Sequence, residues 1–64
     1  MITKYTHLVT FNMTSGRTFE FRFKDFEIFL DHDQEFDSYR YDKCESGKII
    51  VRTDLIELIT VEDI

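Results

Sequence analysis

Sixty-four residues with a net charge of −5, 16% aromatic residues and no proline leave room for one domain, residues 1–64, and do not suit a disordered segment. The acidic balance argues against a general binder of phosphate backbones. One cysteine excludes an internal disulfide, and no apolar run nears the roughly 20 residues that span a bilayer.

The charge is unevenly placed. Lys4, Arg17, Arg22 and Lys24 against Glu20 leave residues 1–24 with a net +3. Asp25, Glu27, Asp31, Asp33, Glu35 and Asp37 give residues 25–37 a net −6, with no Lys or Arg among them. Residues 38–64 are nearly balanced, at −2. The opening Met1–His7 has no signal-peptide core, and with the lone thiol of Cys44 this predicts a reducing, cytoplasmic location.

Along the chain, Tyr5, His7, Val9, Phe11 and Met13 share one parity, which predicts a first strand over about residues 3–13. Thr14-Ser15-Gly16-Arg17 is a turn cluster. Phe19, Phe21 and Phe23 then alternate with Glu20, Arg22 and Lys24, so a second strand closes a hairpin. After Asp25 the spacing changes. Phe26, Phe29 and Leu30 fall at i, i+3 and i+4, which predicts a helix from Phe26 to about Gln34 with Asp25 as its N-cap. Residues 37–42 alternate as a third strand, Lys48–Arg52 reads as a fourth, and Leu55–Val61 as a β-branched fifth that a short helix could also explain.

The expected order is therefore ββαβββ, an α+β domain with one helix packed on one face of an antiparallel sheet. Its expected core is Val9, Phe11, Phe19, Phe21, Phe23, Phe26, Phe29, Leu30, Ile50 and Leu58. The consecutive Ile49, Ile50 and Val51 would leave one sheet face too apolar for a monomer, so a homodimer is expected.

The first hairpin, Phe21-x-Phe23-x-Asp25-Phe26-Glu27-x-Phe29-Leu30, and the closing Gly47-Lys48-Ile49-Ile50 followed by Asp54-Leu55-Ile56 and Ile59 together resemble small orphan proteins of bacteriophages and of Firmicutes genomes. The resemblance spans about two thirds of the chain and rests on structural elements. It implies an accessory or host-directed role, some such phage proteins being inhibitors of host or defence proteins. It implies no site residue.

No catalytic, cofactor or metal motif emerges. Asp31, Asp33, Glu35 and Asp37 have the first four spacings of a calcium loop, but Phe36 stands where the tight turn needs glycine. His7, His32 and Cys44 lack zinc spacing, and nothing near Cys44 in sequence would serve it as a base. His7 lies on the apolar parity of its strand, which suits a hydrogen-bonded, part-buried side chain. The reading that follows is a non-enzymatic protein–protein interaction module, a phage-type inhibitor or modulator of a host or defence protein, without cofactor. Asp31, Asp33, Glu35 and Asp37 would meet a partner protein's basic surface. The alternative is a small nucleic-acid-binding or regulatory protein that uses the Tyr39–Lys43 strand, with its two tyrosines, Arg40 and Lys43. A structural component of an oligomer is the third reading. No membrane role is expected, and nucleic acid is disfavoured by charge.

Overall fold

The computed structural model describes residues 4–64. Among these residues four strands form one antiparallel sheet: β1, His7–Met13; β2, Thr18–Leu30; β3, Phe36–Cys44; and β4, Ile56–Asp63. Their order across the sheet is β3-β2-β1-β4. The first three strands meander. The chain then leaves β3 through residues 45–52 and a 3-10 turn, Thr53–Leu55, to pair β4 with the far side of β1. Residues 1–3, where the expected first strand and the leader reading begin, lie outside the described residues.

The expected α+β class is overturned. Among the described residues the 3-10 turn is the only helical element, and the stretch predicted as a helix, Phe26 to about Gln34, is the second half of β2 and the turn that follows it. The reason is Asp25, which is not an N-cap but a strand residue in the left-handed region, with φ +56°. Such a residue lets the strand change faces. Before it, Phe19, Phe21 and Phe23 face Phe11, Val9 and His7 of β1 across the ladder. After it, Phe26, three residues on from Phe23, is buried on the same side as Phe23. Their ladder partners on β3, Tyr41 and Cys44, are also three apart. One change of parity thus puts Phe23 and Phe26 on one face at i, i+3, while Phe29 and Leu30, whose spacing from Phe26 looked helical, are left exposed. Thr6 holds the place from the end of β1: its N–H donates to Phe23 O at 2.9 Å, and its Oγ1 accepts from the Asp25 N–H at 3.2 Å.

The sheet also curls. Phe26 lies seven residues beyond Phe19, the ladder partner of Phe11, and a straight strand would place it about 23 Å away. Yet its ring centroid is 6.4 Å from that of Phe11. Tyr39, paired to Ile28 further out, is 5.5 Å from Phe11. So the outer half of β2, with β3, folds back over the inner half, and an aromatic layer closes between them. Phe11, Phe23 and Val9 are fully buried there, with Met13, Phe26 and Cys44 nearly so.

The other expected strand, Lys48–Arg52, is irregular crossover. Ile49 and Val51 pack on the core, while Ile50 between them is 89% exposed. The core prediction is corrected accordingly. Phe29 falls on the outer parity once Asp25 has switched faces, and Arg40 sits 5.5 Å from its ring centroid. Leu30 is 54% exposed at the end of β2. Leu58 pairs with Asn12, next to the register shift in β4, and is 58% exposed. Phe19, at the turn end beyond the folded-back layer, is exposed, and Phe21 is half-buried.

Candidate functional site

The four acids of the charge run lie at or beside the tip of the β2–β3 hairpin, not at a helix end. The tip, residues 31–35, is closed by backbone bonds from Asp31 N–H to Glu35 O at 2.8 Å and from Gln34 N–H to Asp31 O at 3.0 Å. Gln34 takes a left-handed φ of +65°. Asp31 has a structural duty: its Oδ1 accepts the N–H groups of Asp33 and Glu35 at 2.8 and 3.0 Å. Such side-chain-to-backbone bonds are what favour aspartate in turns. That carboxylate braces the loop and is not set up as the first ligand of a calcium loop.

Among the described residues, Asp31, Glu35 and Asp37 have no Lys or Arg within ion-pair distance, and Asp33 meets only His32, at 3.5 Å. Elsewhere four carboxylates do have a basic partner: Glu27 with Arg40, Glu45 with Arg22, Asp42 with Lys24 and Asp54 with Arg52. The tip therefore carries a concentrated, unmatched negative field.

The fold sets an apolar surface beside it. Because β2 folds back, Ile28 and Leu30, with Phe36 of β3, come opposite Ile56, Leu58 and Ile59 of β4. A cleft of about 210 Å³ lies between them, with Glu57 on its wall. Leu30 directly precedes Asp31, and Phe36 stands between Glu35 and Asp37, so two wall residues of the cleft adjoin the acids along the chain. These apolar residues were missed as site residues, since the helical reading made Leu30 a core side chain. The available signal was that residues 26–30, Phe-Glu-Ile-Phe-Leu, are short and apolar enough for a strand.

A second, polar concavity of about 550 Å³ lies where β2 bends, lined by His7, Asp25, Phe26, Glu27, Arg40, Tyr41 and Asp42. His7 is part-buried there, its Nδ1 2.7 Å from Thr6 Oγ1 and its Nε2 3.4 Å from Asp63. Among the described residues no three His, Cys, Asp or Glu side chains are grouped to hold a metal ion. Cys44 is buried in the core. Tyr39 and Tyr41 turn their rings inward, Tyr39 stacking on Phe26 at 5.5 Å and Tyr41 lying 4.7 Å from Phe23. Burial, with Tyr41 and Cys44 adding to it, raises the pKa of the Tyr39 hydroxyl. Of the Tyr39–Lys43 strand, Arg40, Asp42 and Lys43 are left exposed to solvent. No helix among the described residues is long and apolar enough to cross a membrane.

Compared with protein-family models, with curated proteins and with solved structures, the chain has no match.

Proposed function

We propose that this chain is a non-enzymatic interaction module whose binding face is the tip of the β2–β3 hairpin together with the apolar cleft behind it. The observation that carries the reading is an open apolar cleft whose wall residues Leu30 and Phe36 adjoin a run of carboxylates that have no Lys or Arg partner among the described residues. Interfaces bury an apolar centre inside a polar rim, and complementary charge speeds encounter. The partner is a protein with a basic surface around an apolar projection that fits against Leu30 and Leu58. The phage-type inhibitor reading agrees with such a surface-masking role. The buried thiol suits the cytoplasm.

The test separates charge from structure. Asp31 braces the tip, so it is replaced by Asn, which keeps the acceptor oxygen, while Asp33 and Asp37 are reversed to Lys. Affinity capture from a bacterial lysate with the wild-type chain defines the partner. The Asp33→Lys/Asp37→Lys variant should fold and lose that partner, Leu30→Asp should lose it too, and Asp31→Asn should weaken it less. Equal capture of the partner by the folded double variant and by Leu30→Asp would remove the face from consideration.

A second copy is also proposed as a partner. β4 is an edge strand, and Leu58, Val61 and Ile64 are exposed along it. Edge pairing across a twofold axis would cover them. Nucleic acid stays the less favoured alternative, because both tyrosine rings of its strand are already packed in the core.

A further inference from the structure

On a different part of the surface, the β3–β4 crossover and the β1–β2 turn wall a groove of about 470 Å³. It shares no wall residue with the cleft beside the acidic tip. Phe19, Phe21, Ile49, Val51 and Leu55 give it an apolar lining. The floor runs into the aromatic core, since the Phe21 ring lies 6.1 Å from those of Phe11 and Phe23. Its volume falls in the roughly 300–1,000 Å³ range of small-molecule sites.

The polar groups on its wall are few. Two guanidinium groups line it, and they differ. Arg52 is held by Asp54 through two bonds, Nε to Oδ1 at 3.3 Å and Nη2 to Oδ2 at 3.0 Å. Arg22 and Arg40 elsewhere also have acidic partners. Arg17 alone among the four arginines has none among the described residues, and the hydroxyls of Thr14 and Ser15 stand on the same side of the groove. An apolar slot with a single uncompensated guanidinium is complementary to a molecule that has one anionic head and one apolar tail. The opposite rim carries Ile50, whose solvent-facing side chain would close over such a tail. The crossover that bears it has no strand ladder holding it in place.

We infer that this groove binds a free straight-chain carboxylate, its head on Arg17 and its tail against Phe19, Phe21, Ile49 and Val51. The probe is decanoate, below its micelle concentration, titrated into the 15N-labelled chain. Amide shifts of residues 14–21 and 49–55 should move together and saturate. Decanol, with the same tail and no charge, should bind about tenfold more weakly, and Arg17→Gln should lose about tenfold for decanoate but not for decanol. Ile50→Asp adds a like charge at a solvent-exposed position, so it should keep the fold and weaken decanoate. Equal affinities for decanoate and decanol, an Arg17→Gln variant that binds decanoate as the wild type does, or shifts scattered over the whole sheet would overturn the inference. So would binding to anionic lipid vesicles with no saturable binding of dissolved decanoate, which would make the groove a membrane contact.

Discussion

Phe11 is where the curled sheet closes. Its ring meets those of Phe21, Phe23, Phe26 and Tyr39, drawn from both halves of the fold. Truncating a buried phenylalanine costs about 3–5 kcal/mol. A domain of this length has a total stability of the same order. Phe11→Ala is therefore expected to abolish the cooperative thermal transition seen by circular dichroism. Phe21→Ala, half-buried at the groove, should retain a transition at lower temperature. If the two behaved alike, Phe11 would not be the closing contact. Tyr39 makes a different prediction. Burial raises its folded pKa, so the unfolded chain loses the phenol proton first as pH rises. Stability is then fully present below the unfolded value near 10 and declines as pH climbs through the folded one. Tyr39→Phe should flatten that alkaline decline in urea midpoints, and an unchanged slope would locate its cause elsewhere.

Among the elements, β2 carries the argument, and Asp25 is its pivot. Left-handed φ costs an ordinary L-residue roughly 1–2 kcal/mol, asparagine and aspartate less, and glycine almost nothing. The Asp25 carboxylate has no hydrogen-bond partner among the described residues. So Asp25→Gly should match or exceed the parent in urea midpoint, Asp25→Asn should equal it, and Asp25→Val should fall by about 1–2 kcal/mol. A stable Asp25→Val would mean the strand changes faces some other way. The same residue explains what the sequence made legible. β1, the first half of β2 and β3 alternate and were readable as strands, while β4 was readable only as a β-branched run that a short helix could also explain. The second half of β2 was not readable, because Phe26, Phe29 and Leu30, of which Phe26 is buried and Phe29 lies on the outer face of the strand, have the spacing of a single helical face. The acids were readable as a charge run. Their apolar companions Ile28, Leu30 and Phe36 were not, since only the folding back of β2 brings them opposite β4.

For the whole molecule, the prediction concerns association. The expected dimer rested on Ile49–Val51 as a strand, with Leu8, Ile56 and Leu58 adding to the apolar face, but residues 49–51 are crossover. The edge of β4 now carries the proposal. Sedimentation at high micromolar concentration should give twice 7.8 kDa, and Val61→Lys on the exposed edge should return it to a monomer. A monomer at every concentration would end the dimer proposal. The pairing of β4 with β1 has a further consequence, one of timing. The β1–β2 and β2–β3 hairpins join near neighbours in the chain, whereas the β1–β4 ladder joins His7 to Asp63 across nearly its whole length. Closing a loop that long costs entropy before any contact compensates it. β4 should thus be the last strand to dock, and until it does the inner edge of β1, with Val9 and Phe11 beside it, is open to any other strand. Chains caught in that interval are the ones expected to aggregate, so factors that slow β4 should lower the yield on refolding more than they lower the final stability.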